Sequence, residues 1–239
     1  PPHPIDSEKK VDPTCEWADR VLASRAERMQ HQQEIWDRMP EWYNSWVEHN
    51  DYVEKVLPHL LPLINQHSSI LEIGPGTGAF TIPLAHHCKQ IIAVEPSPRM
   101  RTNLEANLRK HTLSNVQIHP ARIEDSLQWL AQHDPFDLVF ASFALYDVED
   151  ILPVLQGLMK HTNSLLILLG TGETPDWYRD LRRKLGKAPH TVPPQLDCLQ
   201  PVLSHARISS KVHLIECTNN YVFQDEKAQL DWWINKLNL

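Results

Sequence analysis

Short apolar runs alternate with amphipathic stretches along the middle hundred residues of this chain. The runs at 69–73, 90–94, 116–119, 138–142 and 165–169 are short, rich in β-branched residues and bounded by turn formers, which predicts strands. The stretches at 78–87, 98–110, 126–132 and 148–161 repeat apolar positions at helical spacing. Strands joined one after another by helices predict a single α/β unit, a doubly wound and mostly parallel sheet with right-handed crossovers and helices on both faces.

The flanks read differently. Residues 1–14 are rich in proline and charge and show no apolar period, so an extended lead-in is expected. Trp17, Val21, Leu22 and Ala26 then fall at helical spacing, and Ile35, Trp36 and Met39 suggest a second helix ending at Pro40. Trp42, Tyr43, Trp46 and Tyr52 make the next segment unusually aromatic, and a helix from Asp51 to about Gln66 leads into the sheet. This divides the chain into a helical lead-in and lid over residues 1–50 and a main domain over 51–239. Beyond Gly170, Thr174 and Pro175 suit the N-cap and first position of a helix that ends near Gly186. A helix at 196–205, strands at 211–217 and 220–223 and a last helix at 225–236 complete the pattern.

Composition narrows the classes. At 239 residues, with 41% hydrophobic and 22% charged, the chain is long and apolar enough for one full α/β domain. A net charge of -7 repels phosphate backbones on average, so no nucleic-acid partner is expected; the basic stretches at 109–111 and 182–184 are read as solvated helix faces. The four cysteines show no paired spacing, which predicts reduced thiols and a cytoplasmic protein. The fourteen histidines show no metal-ligand spacing, and no apolar run is long enough to span a membrane, so neither a metal nor a membrane partner is expected. The oligomeric state is left open.

Chemistry concentrates at the first strand's end. The segment LEIGPGTGAF, residues 71–80, places Gly74, Gly76 and Gly78 where the strand turns into a helix, so the backbone can approach a ligand at the carboxyl edge of the sheet. Gly74, Gly76 and Ala79 also fit a dinucleotide fingerprint, which keeps an NAD-dependent oxidoreductase in view. Two acids weigh against it. Glu72 stands where a carboxylate could receive a cationic amino group but would sit poorly beside a pyrophosphate, and Glu95 ends the second strand where it could accept from ribose hydroxyls.

This E-x-G-x-G-x-G pattern followed by a strand-end acid resembles the class I S-adenosylmethionine-dependent methyltransferases of the Rossmann-like fold, from about Ile70 to Leu169, in the small-molecule type. The resemblance implies S-adenosylmethionine as cofactor and methyl transfer to a small or medium organic acceptor. It assigns Glu72, Gly74, Pro75, Gly76 and Gly78 to the methionine end and Glu95 to the ribose. Pro96, Ser97 and Met100 fall near the adenine, as do Arg122 and Ile123, where Arg122 replaces the usual aspartate. Asp125 in that stretch is open to a cap role instead. Ala141, Ser142 and Phe143 border the cofactor, and Tyr146 and Asp147 stand where many relatives carry a histidine, as catalytic candidates to remove the acceptor's proton, with a packed aromatic and a helix cap as the plainer readings. The N-P-P-Y type sequence of amino methyltransferases is absent. Tyr43 and Trp46 are placed to contact cofactor or substrate as a lid. An antiparallel strand is expected at the C-terminal sheet edge. A methyltransferase-like scaffold without transfer is a further alternative.

Overall fold

The computed structural model describes residues 12–29, 40–223 and 225–237. The expected lead-in up to residue 11 and the expected helix around Ile35, Trp36 and Met39 lie outside the described residues. Among the described residues the first helices are α1 (Pro13–Met29), α2 (Pro40–Glu48) and α3 (Tyr52–Leu60). The sheet then alternates with helices as β1 (Ser69–Ile73), α4 (Thr81–Ala85), β2 (Gln90–Val94), α5 (Pro98–Lys110), β3 (Val116–His119), α6 (Ile123–Leu130), β4 (Leu138–Ser142), α7 (Ile151–Met159) and β5 (Leu165–Leu168). Helices α8 (Asp176–Lys184), α9 (Leu196–His205) and α10 (Glu226–Leu237) follow.

The five strands are all parallel in the order β3-β2-β1-β4-β5. The strands run outward from β1 to β3 on one side and from β4 to β5 on the other, so the order of winding reverses between β1 and β4, the switch point where such sheets bind ligands at their carboxyl edge. Because side chains alternate across a strand, each central strand feeds two cores. Leu71, Ile73, Ile92, Val94, Val139 and Ala141 pack with α1, α6, α7 and α9 on one face. Ile70, Ile91, Ala93, Leu138 and Phe140 pack with α3, α4 and α5 on the other. Helices therefore cover both faces, as expected. Trp17 of α1 is fully buried in the first core, and its indole Nε1 donates to the Val148 carbonyl at 2.7 Å.

Local chemistry explains α5. The Ser97 hydroxyl accepts from the Met100 amide at 3.2 Å, Pro98 occupies the first turn, and Arg109 and Lys110 face the carbonyl end of the dipole. Elsewhere the caps shift by a few positions. Pro175 rather than Thr174 stands at the N-cap of α8, and Asp150 rather than Asp147 at that of α7. Asp125 lies inside the first turn of α6, where Arg122 holds the cap position.

The antiparallel edge strand is not seen: residues 211–223 form no strand, and β5 pairs only with β4 in the sheet. The physical reason is where this segment's polar groups go. The Thr218 amide donates to Asp51 Oδ1 at 2.7 Å and the Asn220 amide to Asn50 Oδ1 at 2.6 Å, while Lys55 Nζ reaches the Glu216 carbonyl at 2.7 Å. Asn50, Asp51 and Lys55 thus bond backbone groups of this segment that a strand would offer to the sheet.

Candidate active site

Two acids and a glycine turn meet where β1 and β2 end. Glu72 shares its face of β1 with Ile70, so it points into the core beside α4, where it is 2% exposed. Among the described residues its Oε2 has no hydrogen-bond partner, and neither has the buried Thr81 hydroxyl. Burial pushes the Glu72 carboxyl up to about 7; the Thr81 hydroxyl opposes the shift without closing a hydrogen bond, and the charge of Glu95 adds to it. A buried acid with an orphaned oxygen is costly in an empty site and suits a cationic hydrogen-bond donor.

Glu95 is 5% exposed and ties the turn together. Its Oε2 accepts from the Gly76 amide at 3.0 Å and its Oε1 from the Ser97 amide at 2.9 Å. The turn itself needs its glycines, since Gly74, Gly76 and Gly78 all have positive φ. Gly74 has φ +64°, and a Cβ there would lie 2.5 Å from the Cβ of Ala144. Gly76 has φ +59°, and a Cβ would lie 3.3 Å from the Tyr43 ring. Gly78 donates its amide to the carbonyl of buried Pro75 at 3.0 Å and closes the turn.

An aromatic row roofs this turn. The Tyr43 hydroxyl lies 3.3 Å from that of Tyr52, and Trp46 stands 6.0 Å from the Tyr43 ring and 5.0 Å from Tyr52. Burial, before any other influence, pushes both phenols above their ordinary range, with the charge of Glu72 acting the same way, so both stay protonated at neutral pH. Trp46 Nε1 also donates to Asn219 Oδ1 at 3.0 Å, anchoring α2 to the C-terminal segment.

At the end of β4, Ala141 is buried in the first core and Ser142 is half-buried. Phe143 adopts φ +50°, a strained conformation for a residue with a side chain, and exposes 37% of its surface. Its amide donates to the Leu168 carbonyl at 2.9 Å, and its ring meets Tyr52 edge-on at 6.2 Å. The structure therefore brings Glu72, Gly74, Gly76, Glu95, Tyr43, Trp46 and Phe143 to one crevice. Other candidates have structural duties. Ser97 caps α5, Met100 is buried beside it, and the Pro96 carbonyl accepts from Arg101 at 2.6 Å. Arg122 pairs with Glu124 at 3.3 Å, and the Ile123 side chain lies in the core. Tyr146 and Asp147 are half-buried on a 3₁₀ turn, where the Asp147 carbonyl accepts from Arg25 at 2.8 Å. Sequence reasoning passed over Tyr52 and Thr81 as site residues. Tyr52 begins the i, i+4, i+8 series with Val56 and Leu60, which signals core packing and hides its hydroxyl's role.

The methyltransferase domain family matches residues 70–164. A ribosomal RNA small subunit methyltransferase G of Helicobacter hepaticus is 32% identical over 130 residues, covering 52% of this chain and 69% of that protein. A ribosomal RNA small subunit methyltransferase A of Macrococcus caseolyticus is 30% identical over 112 residues, covering 44% of this chain and 37% of that protein. Among solved structures, an N-methyltransferase of Bradyrhizobium japonicum is similar with TM-score 0.46 and 20% identity, covering 64% of this chain and 80% of that one.

These relatives overturn the expectation of a small-molecule acceptor with no nucleic-acid partner, since both are named for ribosomal RNA. The physical reason is that net charge averages over a whole surface, and a shared cofactor cradle does not encode the acceptor. Nor are the nicotinamide and non-catalytic alternatives favoured. No helix among the described residues is long and apolar enough to cross a membrane. With that similarity on top of the parallel sheet and the glycine turn, the chain belongs to the class I S-adenosylmethionine-dependent methyltransferases, and its cofactor is S-adenosylmethionine.

Proposed function

We propose that the crevice between β1, β2 and β4 holds S-adenosylmethionine across the glycine turn and presents its methyl group to an acceptor arriving beside Phe143. The observation that carries this reading is the buried Glu72 with its orphaned oxygen, next to a turn whose Gly76 amide is already bonded to Glu95. The bound cofactor supplies an activated methyl on a good leaving group.

Glu72 receives the ammonium of the methionine end, which repays the cost of burying its charge. Glu95 accepts from the ribose hydroxyls while keeping Gly76 in place. Gly74, Pro75, Gly76 and Gly78 give the ligand close access to the backbone. Pro96, Ser97, Met100, Arg122 and Ile123 border the adenine end through backbone and apolar atoms. Ala141, Ser142 and Phe143 form the wall opposite the turn. Tyr43 and Trp46, carried on α2, exclude water from above as a lid belonging to the N-terminal segment. Tyr146 and Asp147 take the acceptor's proton where the acceptor requires it.

The names of the relatives make ribosomal RNA the first acceptor to assay. Protein-free ribosomal RNA and intact subunits, incubated with the enzyme and S-adenosylmethionine tritiated at the methyl and held below the wild-type Kd, should gain label at a rate that Glu95→Ala lowers at least about tenfold. An unchanged rate of transfer in Glu95→Ala would remove this crevice from the reaction.

A further inference from the structure

Tyr43 stands where a ligand would have to meet the glycine turn. A Cβ built on Gly76 would lie 3.3 Å from its Cε1, 3.8 Å from its Cζ and 3.9 Å from its hydroxyl, so the edge of the ring rests on the bare face of that residue. Carbon atoms in contact sit about 3.5–4.0 Å apart, so a ligand atom seated on Gly76 already meets the ring. The amide of the same residue is bonded to Glu95 at 3.0 Å. Burial is the main cause that raises the Tyr43 phenol, and the charges of Glu72 and Glu95 add to it, so the hydroxyl stands in the field of both acids.

The helix that carries Tyr43 can pivot. α2 is joined to α3 through residues 49–51, and that joint is pinned to the C-terminal segment. The Asn220 amide donates to Asn50 Oδ1 at 2.6 Å, Asn50 Nδ2 donates to the Asn220 carbonyl at 3.0 Å, and the Thr218 amide donates to Asp51 Oδ1 at 2.7 Å. Beyond the joint, Trp46 Nε1 donates to Asn219 Oδ1 at 3.0 Å, and the Tyr43 hydroxyl lies 3.3 Å from that of Tyr52. Tyr52 is itself fixed, buried in the second core with its ring edge-on to Phe80 at 5.6 Å. The two helices differ in what they bury. α3 buries Tyr52, Val56 and Leu60, whereas residues 43–49 of α2 and the joint are half-buried or exposed. An element with so little of itself in the core opens far more cheaply than the fold around it.

We infer that α2 is a gate on the cofactor cradle, with Tyr43 as its plug and the Tyr52 hydroxyl and Asn219 as its latch: the helix pivots at residues 49–51 to admit the cofactor and to release its product. The gate rests on the placement of the cofactor across the glycine turn, and binding rates separate the two. Tritiated S-adenosylhomocysteine is bound to the full chain and followed by rapid filtration, with dissociation started by excess unlabelled compound. A residue that only touches a ligand changes the dissociation rate and leaves association nearly alone. A latch acts on opening, so loosening it speeds entry and exit alike. Tyr52→Phe with Asn219→Ala, which keeps every ring, should raise both rates at least about fivefold while the dissociation constant moves less than about threefold. Tyr43→Ala should raise the association rate at least about fivefold even though it removes a wall of the site. Glu95→Ala should speed dissociation and leave association within about twofold of wild type. An association rate within about twofold of wild type in Tyr43→Ala or in the double variant would overturn the gate, and a loss of affinity in Glu95→Ala would then leave the cradle standing without it. No binding by the wild type, or no loss of affinity in Glu95→Ala, would overturn cradle and gate together.

Discussion

The β1–β2 turn and the stretch after β5 are held by opposite means. At the turn, strands pair backbone to backbone in an unbroken parallel register, and the Gly74 amide donates to the Val94 carbonyl at 2.9 Å. After β5, backbone amides look to side chains: Gly170 to Gln195, Thr191 to Glu27, Thr218 to Asp51 and Asn220 to Asn50. A ladder spreads its strength over many bonds and tolerates a strained functional group in its midst. A side-chain clamp concentrates it in single residues, each removable alone.

Substitutions at the turn should cost the ligand far more than the fold. Gly76→Val combines a disfavoured φ with a side chain forced against Tyr43, so affinity for S-adenosylhomocysteine should fall about a hundredfold or more while far-ultraviolet circular dichroism stays unchanged. Unchanged affinity would place the cofactor elsewhere.

Glu72 is predicted to weaken the empty protein for the sake of the loaded one. Its folded pKa of about 7 exceeds the ordinary 4.5, so the native state binds the extra proton between those values. Stability from this group is therefore full below about 4.5 and is lost as pH rises through 7. Glu72→Gln should thus raise stability at pH 8 by on the order of 3 kcal/mol relative to its effect at pH 4, measured by urea unfolding, while weakening the cofactor. Parallel pH profiles for the two proteins would contradict this burial account.

The smallest effect belongs to the clamp. The half-buried Asp51 carboxylate accepts from Lys55 and from Thr218, bonds that hold its pKa down at about 2. Asp51→Ala should speed hydrogen exchange at the Thr218 and Asn220 amides without changing that of β1. Unchanged exchange at Thr218 would show that the segment is anchored by other contacts.

The same contrast explains what the sequence disclosed. Strands β1 to β5 were legible because burial on two faces selects runs such as SILEI and LVFAS, and Ser97 with Pro98 marked the start of α5 through cap chemistry. Glu72, Gly74, Gly76 and Glu95 were legible because turn and acid lie within one short stretch whose spacing is set by the strand ends. Residues 211–223 were misread, because Val212 and Leu214 alternating with Lys211 and His213 is what a strand would show, and nothing local says that Asp51 and Asn50 compete for its amides. Tyr52 was passed over for a related reason: its partner, the Tyr43 hydroxyl, sits on another helix.

The most direct test of the central claim is calorimetric titration of the wild-type chain and of Glu95→Ala with S-adenosylhomocysteine. The account predicts micromolar binding by the wild type and a loss of at least about tenfold in the variant, as charge-assisted bonds to two hydroxyls require. Equal affinity in the two proteins, or no binding by the wild type, would contradict the placement of the cofactor at the ends of β1 and β2.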